Sequence, residues 1–226
     1  MHAGEKRIMR EKYPLENIAG FVAYQMPTVR LRDVIMNALI VGIPIYFFMT
    51  EYPSYVFLNI VVALVALSTI FVGIAALIRR PPRARAIALL YTGCSLTAMS
   101  LDASVGAFYL SLKFVPHAWT SALVLIGLNA VDMTLIYALI RTNIRRDVYR
   151  NPGHAAKKAW AILFFFAALG SLITRFLPNS NDVLYPILVI ILGMLGLLMN
   201  LGIGYFMKAR YAKKFGLFDR EAEKNP

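Results

Sequence analysis

The stretch SYVFLNIVVALVALSTIFVGIAALI at residues 54–78 contains no charged side chain, and RRPPRAR follows it directly at residues 79–85. About 20 predominantly apolar residues are enough to cross a bilayer as an α-helix. Backbone polar groups in lipid must be satisfied within the segment, and barrel strands would show a much shorter alternating pattern. The stretch therefore predicts a transmembrane helix that ends at a cluster of arginines.

The rest of the chain repeats this pattern. The 226 residues are 59% hydrophobic and only 16% charged, whereas about a quarter of an ordinary soluble domain is charged. Six apolar runs are long enough to be spans, at residues 34–50, 54–78, 86–112, 118–140, 159–177 and 183–207. The sequence thus predicts an all-α, polytopic integral membrane protein with six transmembrane helices.

Basic residues lie almost entirely in alternate segments between these runs. Of the 24 Lys and Arg residues, only Lys113 and Arg175 fall in the first, third and fifth loops. Loops rich in Lys and Arg stay in the cytoplasm. We therefore expect both termini to be cytoplasmic, in an N-in/C-in topology, and the protein to lie in a plasma or inner membrane.

The net charge of +12 follows from the same topology. Basic segments next to a membrane are attracted to anionic lipid headgroups. We expect the lipid bilayer, with anionic headgroups at the basic cytoplasmic loops, to be the partner of these charges. A nucleic-acid partner is not predicted.

The chain divides into a cytoplasmic N-terminal segment at 1–33, a transmembrane domain at 34–207 and a basic, charged cytoplasmic tail at 208–226. Within the first segment, PLENIAGFVAYQM at 14–26 is moderately apolar. Its larger apolar residues fall on one helical face, namely Leu15, Ile18, Phe21 and Val22. This pattern predicts a short amphipathic helix lying on the membrane surface, the alternative being an irregular tail packed under the bundle.

Two acidic residues fall inside predicted spans, Asp102 in the third and Asp132 in the fourth. A carboxylate in the bilayer core costs a few kcal/mol or more, so each should face the bundle interior or water. Counted from the inner ends of their spans at 1.5 Å per residue, the two acids should differ by about 12 Å in depth. At that separation they are not expected to share a proton.

Further polar residues accompany these acids. We expect Asn129 and Asn200 to cluster with Asp132 in the inner half of the membrane. The remaining candidates for a polar pathway are Asn59, Asn37, Ser95 and Tyr91. The alternative is that these residues have only a structural role, because Asn and Ser form hydrogen bonds between helices in membranes.

Small residues, glycines among them, form narrow stripes on two of the spans. Small residues let helix backbones approach closely in a membrane. The glycines predicted to mediate helix packing are Gly73, Gly193, Gly196 and Gly204.

Enzyme chemistry is not favoured by the sequence. The three histidines, His2, His117 and His154, lie in loops or at the terminus, and Cys94 is the single cysteine. No Walker A sequence or His/Cys cluster with metal-ligand spacing is present. We therefore assign no catalytic residue, no metal and no cofactor.

Two functional hypotheses remain. The first is a transporter or channel-like protein for a small solute or ion that uses the buried acidic and Asn residues. The alternative is a non-catalytic membrane subunit, sensor or immunity-type protein that acts through helix–helix and cytoplasmic-loop contacts. Both would accommodate a homo-oligomer or a partner membrane subunit.

Overall fold

The computed structural model describes residues 14–79, 83–115, 117–149 and 181–218. These residues form α-helices and one 3-10 turn, without a strand. The helices are α1 (Leu15–Ala23), α2 (Leu31–Glu51), α3 (Val56–Ile78), α4 (Arg83–Ser111), α5 (Ala118–Arg145), α6 (Asn181–Met199) and α7 (Gly202–Phe215). The turn at Pro53–Tyr55 joins α2 to α3. The all-α prediction is confirmed for this part of the chain.

Five described segments are long and apolar enough to cross a membrane, which indicates a helical membrane protein. They are α2, α3 with its preceding turn, α4, α5 from Trp119, and α6 together with α7. They match five of the six predicted spans. The remaining one, at 159–177, lies outside the described residues, and so does Arg175.

Helix α4 lies at the centre of the described bundle. It packs against α2, α3, α6 and α7. Half of the residues in the apolar 18-residue stretch of α4 are buried in the protein. In the corresponding stretch of α5, only 6% are buried. Most of the buried residues of α4 are small or hydroxylated, as at Ala98, Ser100 and Gly106. Because small residues let neighbouring backbones approach, this composition suits the helix that every neighbour must contact.

Helices α2 and α4 run parallel with a constant register. The Tyr91 hydroxyl donates to the carbonyl oxygen of Asp33 at 3.0 Å, across a sequence difference of 58. The same difference separates Phe48 from Gly106, and the Phe48 ring lies 3.5 Å from where a Gly106 Cβ would be. Residues of α2 and α4 that differ by 58 in number therefore lie at the same level.

The other long helices run antiparallel to α4. Tyr91 and Tyr109 of α4 contact Gly73 and Asn59 of α3, respectively. On the opposite side, Gly106 lies beside Leu192 of α6, and Gly93 lies beside Gly202 of α7.

Helix α5 also runs antiparallel to α4. Asn129 hydrogen-bonds Ser104, and Ile140 contacts Gly204.

The helix ends that carry basic residues consequently meet at one end of the bundle, which we call the basic end. Arg30, Arg79, Arg83, Arg145 and Lys213 lie there. The alternation agrees with the charge pattern, while the side of the membrane that the basic end faces stays a prediction.

Helix α1 confirms that the N-terminal segment contains a helix, but its apolar face contacts protein. Ile18, Phe21 and Val22 are buried in a cluster with Ile144 of α5 and Tyr211 of α7. The prediction laid this face on the membrane surface. The difference arises because α5 and α7 continue beyond their predicted ends at 140 and 207, and their last turns provide apolar side chains that cover α1.

A buried lysine joins α1 to α7. Lys208 is 5% exposed, and its Nζ donates to the carbonyl oxygen of Tyr24. The Nζ also lies 5.0 Å from the ring centroid of Tyr205 and 5.5 Å from those of Phe21 and Tyr24. Aromatic faces attract cations, and the attraction grows when water is excluded. Lys208 therefore holds the α1 segment against the end of the bundle.

Replacement of Lys208 should release α1. Lys208→Met keeps an apolar chain of similar length but removes a charge-assisted hydrogen bond that is worth about 1.5–3 kcal/mol. We expect backbone amides of residues 15–23 to exchange about ten-fold faster or more, measured by hydrogen–deuterium exchange mass spectrometry in micelles. Lys213→Met, which changes an exposed lysine of the same helix, is the matched control. Unchanged exchange in Lys208→Met would contradict this account of α1.

Substitution of Gly202 should destabilise the bundle. A Cβ at Gly202 would lie 2.9 Å from both the Gly93 carbonyl oxygen and the Leu96 Cβ, while a Cβ at Gly127 meets nothing within 4 Å. Overpacking of this kind costs about 1–3 kcal/mol. We expect Gly202→Ala to lower the thermal unfolding midpoint in detergent. Gly127→Ala should leave it unchanged or raise it, because Ala favours helix by about 1 kcal/mol. Equal midpoints for the two variants would argue against the close approach.

Candidate functional site

A cavity of about 650 Å³ lies between α2, α4 and α6, and we call it the Asp102 cavity. The side chains that line it are Ile40, Ile43, Pro44, Phe47, Phe48, Tyr52, Met99, Asp102, Ala103, Gly106, Tyr109, Leu110, Leu192, Leu195 and Met199. Among these described lining residues, the polar side chains are Asp102 and the two tyrosines. The α2–α4 register puts Asp102 level with Pro44, in the part of the wall nearer the basic end.

Asp102 is buried without a partner in the described part of the chain. Its side chain is 7% exposed, and neither carboxyl oxygen accepts or donates a hydrogen bond there. An ionised carboxylate without a donor or a counter-charge costs several kcal/mol in apolar surroundings. The carboxyl group can therefore hold a proton, or pair with a cation that enters the cavity.

A polar row leads from Asp102 along the α2–α4 interface toward the basic end. Ser95 lies seven residues before Asp102, or about 10 Å along the helix, and the register puts it level with Asn37. Both residues are buried, and the Asn37 Oδ1 has no hydrogen-bond partner among the described residues. The next turn brings Tyr91, whose hydroxyl bonds to the Asp33 carbonyl. The structure thus aligns Asn37, Ser95 and Tyr91 below Asp102.

A second group, which we call the amide cluster, joins α4, α5 and the α6–α7 junction. Asn200 donates from Nδ2 to Asn129 Oδ1 and to Asp132 Oδ2, both at 3.0 Å, and its Oδ1 accepts from Ser100 Oγ at 2.7 Å. Asn129 Nδ2 also donates to Ser104 Oγ at 3.3 Å. The predicted grouping of Asn129, Asp132 and Asn200 is present in the structure.

Ser100 and Ser104 complete this cluster, although the sequence reasoning did not single them out. Their spacing of four residues on one helical face is a signal that could have identified them. Asp102 lies two positions after Ser100, which is about 200° around an α-helix. Helix α4 therefore presents the amide cluster and the Asp102 cavity on opposite sides.

The depth difference between the two acids is much smaller than the predicted 12 Å. Ser100 is about 3 Å from Asp102 along the helix axis, and Asn200 bridges Ser100 to Asp132. The sequence estimate measured from residues 86 and 140, but α4 begins at Arg83 and α5 ends at Arg145. The unequal extensions of the helices account for part of the error.

The chain between α6 and α7 departs from α-helical hydrogen bonding at Asn200. The amide of Asn200 bonds to the Leu197 carbonyl at 3.1 Å, and the amide of Ile203 bonds to the Asn200 carbonyl at 3.0 Å, both across three residues. Short 3-10 stretches inside long helices often mark hinges. Met199 lines the Asp102 cavity while its neighbour Asn200 holds the amide cluster. The junction therefore connects the two sites.

Asn59, another predicted pathway residue, closes the end of α2 that is opposite to the basic end. Its Nδ2 donates to the carbonyls of Phe48 and Tyr52 at 3.3 and 3.1 Å, and its Oδ1 accepts from the Tyr109 hydroxyl at 2.6 Å. The Tyr52 and Tyr109 rings stack at 4.4 Å. Because both polar atoms of its amide are engaged, this geometry suits a structural role.

Three of the four predicted packing glycines make close helix contacts. An added Cβ would lie 2.7 Å from the Tyr91 ring at Gly73, 2.9 Å from Ser104 Oγ at Gly196, and 3.2 Å from Ile140 at Gly204. At Gly193 the nearest atom is 4.0 Å away, on Leu125. The closest backbone approach, at Gly93 and Gly202, was not predicted.

The described ranges contain no group of three or more His, Cys, Asp or Glu residues that could bind a metal ion. No protein-family model, curated protein or solved structure matches the chain. The features of the described residues that bear on function are therefore the Asp102 cavity, the polar row and the amide cluster.

The amide cluster should behave as one energetic unit. In a double-mutant cycle of Asn200→Ala and Asp132→Ala, we expect a coupling of about 0.5–3 kcal/mol, because residues in one hydrogen-bond network are not additive. The measurement is the unfolding free energy in mixed micelles. A parallel cycle of Asn200→Ala with Asn59→Ala should be additive, since Asn59 lies on α3 and bonds to Tyr109, near the end of α4 that is opposite to the basic end. Additivity in both cycles would contradict the network.

Proposed function

We propose that this protein is a membrane transporter for a small solute or ion, and that Asp102 is the carboxyl group that binds and releases the coupling proton. The observation that carries this proposal is the buried Asp102 carboxyl, which faces a 650 Å³ cavity and has no partner among the described residues. Ionisable residues inside membrane segments are costly and commonly mark ion or proton pathways.

The polar row supports a route for that proton. Asn37 and Ser95 lie at one level of the α2–α4 interface, between Asp102 and the basic end. Buried polar atoms that lack protein partners are usually satisfied by water. In this proposal, a chain of waters that includes one at the Asn37 Oδ1 spans the distance of about 10 Å to the carboxyl group and connects it to the solvent at the basic end. In this proposal, protons reach Asp102 from that side.

Two walls of the cavity contain an interruption in helical hydrogen bonding. Pro44 cannot donate to the carbonyl of Ile40, and prolines inside helices are common sites of bending. Both residues line the cavity on α2. On the other wall, the Asn200 junction follows Met199 directly. Bending at these two points would change the access to Asp102 from either side, as transport requires.

Asp132 has a different role in this proposal. It accepts a hydrogen bond from Asn200 at the junction. Motion at the junction would exchange this bond for another or break it. Asp132 and Asn129 thus hold one state of the hinge, while Asp102 carries the proton.

A pH jump on reconstituted protein tests the proton-binding step. Proteoliposomes on a solid-supported membrane should show a transient displacement of charge when the external pH changes, because protons move into the membrane to reach Asp102. We expect Asp102→Asn to reduce the displaced charge ten-fold or more. Glu51→Gln, which changes an exposed acid at the end of α2, should leave it unchanged.

Asn37→Leu should slow the charge displacement without abolishing it, because the variant removes a polar group from the route and keeps the carboxyl group. Equal charge displacement in the wild type and Asp102→Asn would refute the proposal. That outcome would favour the alternative of a non-catalytic membrane subunit or sensor.

A further inference from the structure

The composition of the Asp102 cavity restricts what can bind beside the carboxyl group. A hard metal cation such as Ca²⁺ takes six to eight oxygen ligands. The lining side chains offer one carboxyl group and the hydroxyls of Tyr52 and Tyr109, of which the latter already donates to Asn59. The Ile40 carbonyl, to which Pro44 cannot donate, adds one further oxygen. A small inorganic cation would therefore be poorly coordinated, whereas a wholly neutral, apolar ligand would leave the carboxyl group unused.

The apolar part of the lining is rich in aromatic rings. Phe47, Phe48, Tyr52 and Tyr109 all line the cavity. Phe48 and Tyr109 pack edge to face at a centroid distance of 5.2 Å. The faces of such rings attract cations, and quaternary ammonium groups are commonly bound by aromatic side chains together with a carboxylate.

The cavity opens toward the side of the bundle. Ile43 is 67% exposed and Phe47 is 49% exposed on α2, and Leu195 is 40% exposed on α6. No helix of the described ranges covers these side chains, and an uncovered apolar side chain within a membrane contacts hydrocarbon. A ligand with a large apolar body could therefore reach the cavity from the lipid, and a volume of about 650 Å³ lies within the usual range of small-molecule sites.

We infer that the Asp102 cavity binds an organic cation with an apolar body, of the lipophilic ammonium or phosphonium class, as the cargo of the transporter. This inference rests on the proposed function, because the same carboxyl group serves proton and cargo. The cation pairs with the ionised carboxylate, the aromatic rings surround its apolar body, and the proton leaves to solvent. One cation bound thus releases one proton.

Other charged groups near the cavity do not alter the sign of this exchange. Apart from Asp102, the titratable side chains of the lining are Tyr52 and Tyr109, which are neutral at physiological pH. The Lys113 Nζ lies 5.8 Å from the centroid of the Tyr52 ring. Among the described residues, α2 and α6 contribute no charged side chain to the lining. A rise in pH should therefore strengthen cation binding through Asp102.

Binding of tetraphenylphosphonium to the purified full-length protein in detergent tests this inference. We expect calorimetry to show saturable binding whose affinity increases up to ten-fold per pH unit while Asp102 is protonated in the free protein. A weakly buffered pH indicator should report about one proton released per ligand. Neutral triphenylphosphine oxide should bind without pH dependence, and anionic tetraphenylborate should bind more weakly as the pH rises.

Variants distinguish binding that depends on the carboxyl group from non-specific hydrophobic binding. Asp102→Asn, which is nearly isosteric, should weaken tetraphenylphosphonium binding at least ten-fold, while Glu51→Gln should not. Ile43→Trp narrows the exposed side of the cavity and should also weaken binding. This second variant provides the test if Asp102→Asn does not fold. Equal affinity in the wild type, Asp102→Asn and Ile43→Trp would overturn the inference.

The two proposals can fail separately. If charge displacement depends on Asp102 but tetraphenylphosphonium does not bind, the inferred class of cargo is wrong. The proposal of a proton-binding transporter is then still supported. Binding that depends on Asp102 without charge displacement would support the cation site and refute the transport proposal.

Discussion

The close approach of α4 to the α6–α7 segment is the contact on which the rest of the described bundle depends. Gly93 faces Gly202, and Gly196 lies against Ser100 and Ser104, so that neither side could carry a larger residue without displacement. In lipid, helix association relies on close packing and interhelical hydrogen bonds, because the hydrophobic effect does not distinguish helix from lipid. The approach brings Asn200 within reach of Ser100, and the amide cluster forms as a result.

The same helix creates the cavity on its other side. The α4 residues Ala103 and Gly106 are too small to fill the space between α2 and α6, and Asp102 projects from the same wall. An apolar residue at position 102 would remove the cost of a buried carboxyl group that has no partner among the described residues. An acid at this position lowers the stability of the fold, and residues that are unfavourable for stability are typical of functional sites. The amide cluster, by contrast, satisfies its polar groups.

The sequence was sufficient to predict the helical class, five of the membrane-length segments and the grouping of Asn129, Asp132 and Asn200. The length of an apolar run and the alternation of basic loops indicate the environment of each helix. Both can be read from the sequence of that helix and its flanking loops alone. Gly202 and the covered face of α1 were missed because they depend on which helix lies opposite. Part of the depth error had the same origin, since α5 continues beyond its apolar run to Arg145 and its last turn packs against α1.

Asn37 and Asn59 show why residue type alone could not separate a pathway from a packing contact. Both are buried asparagines in membrane-length helices and were equal candidates from the sequence. Asn59 donates to the Phe48 and Tyr52 carbonyls at the end of α2 and accepts from the Tyr109 hydroxyl, so its amide is used by the fold. Asn37 lies in the middle of a helix interface where backbone groups bond within their own helices, and no group in the described part of the chain bonds to its Oδ1. A pathway requires such open positions, and they occur where helices run side by side rather than where they end.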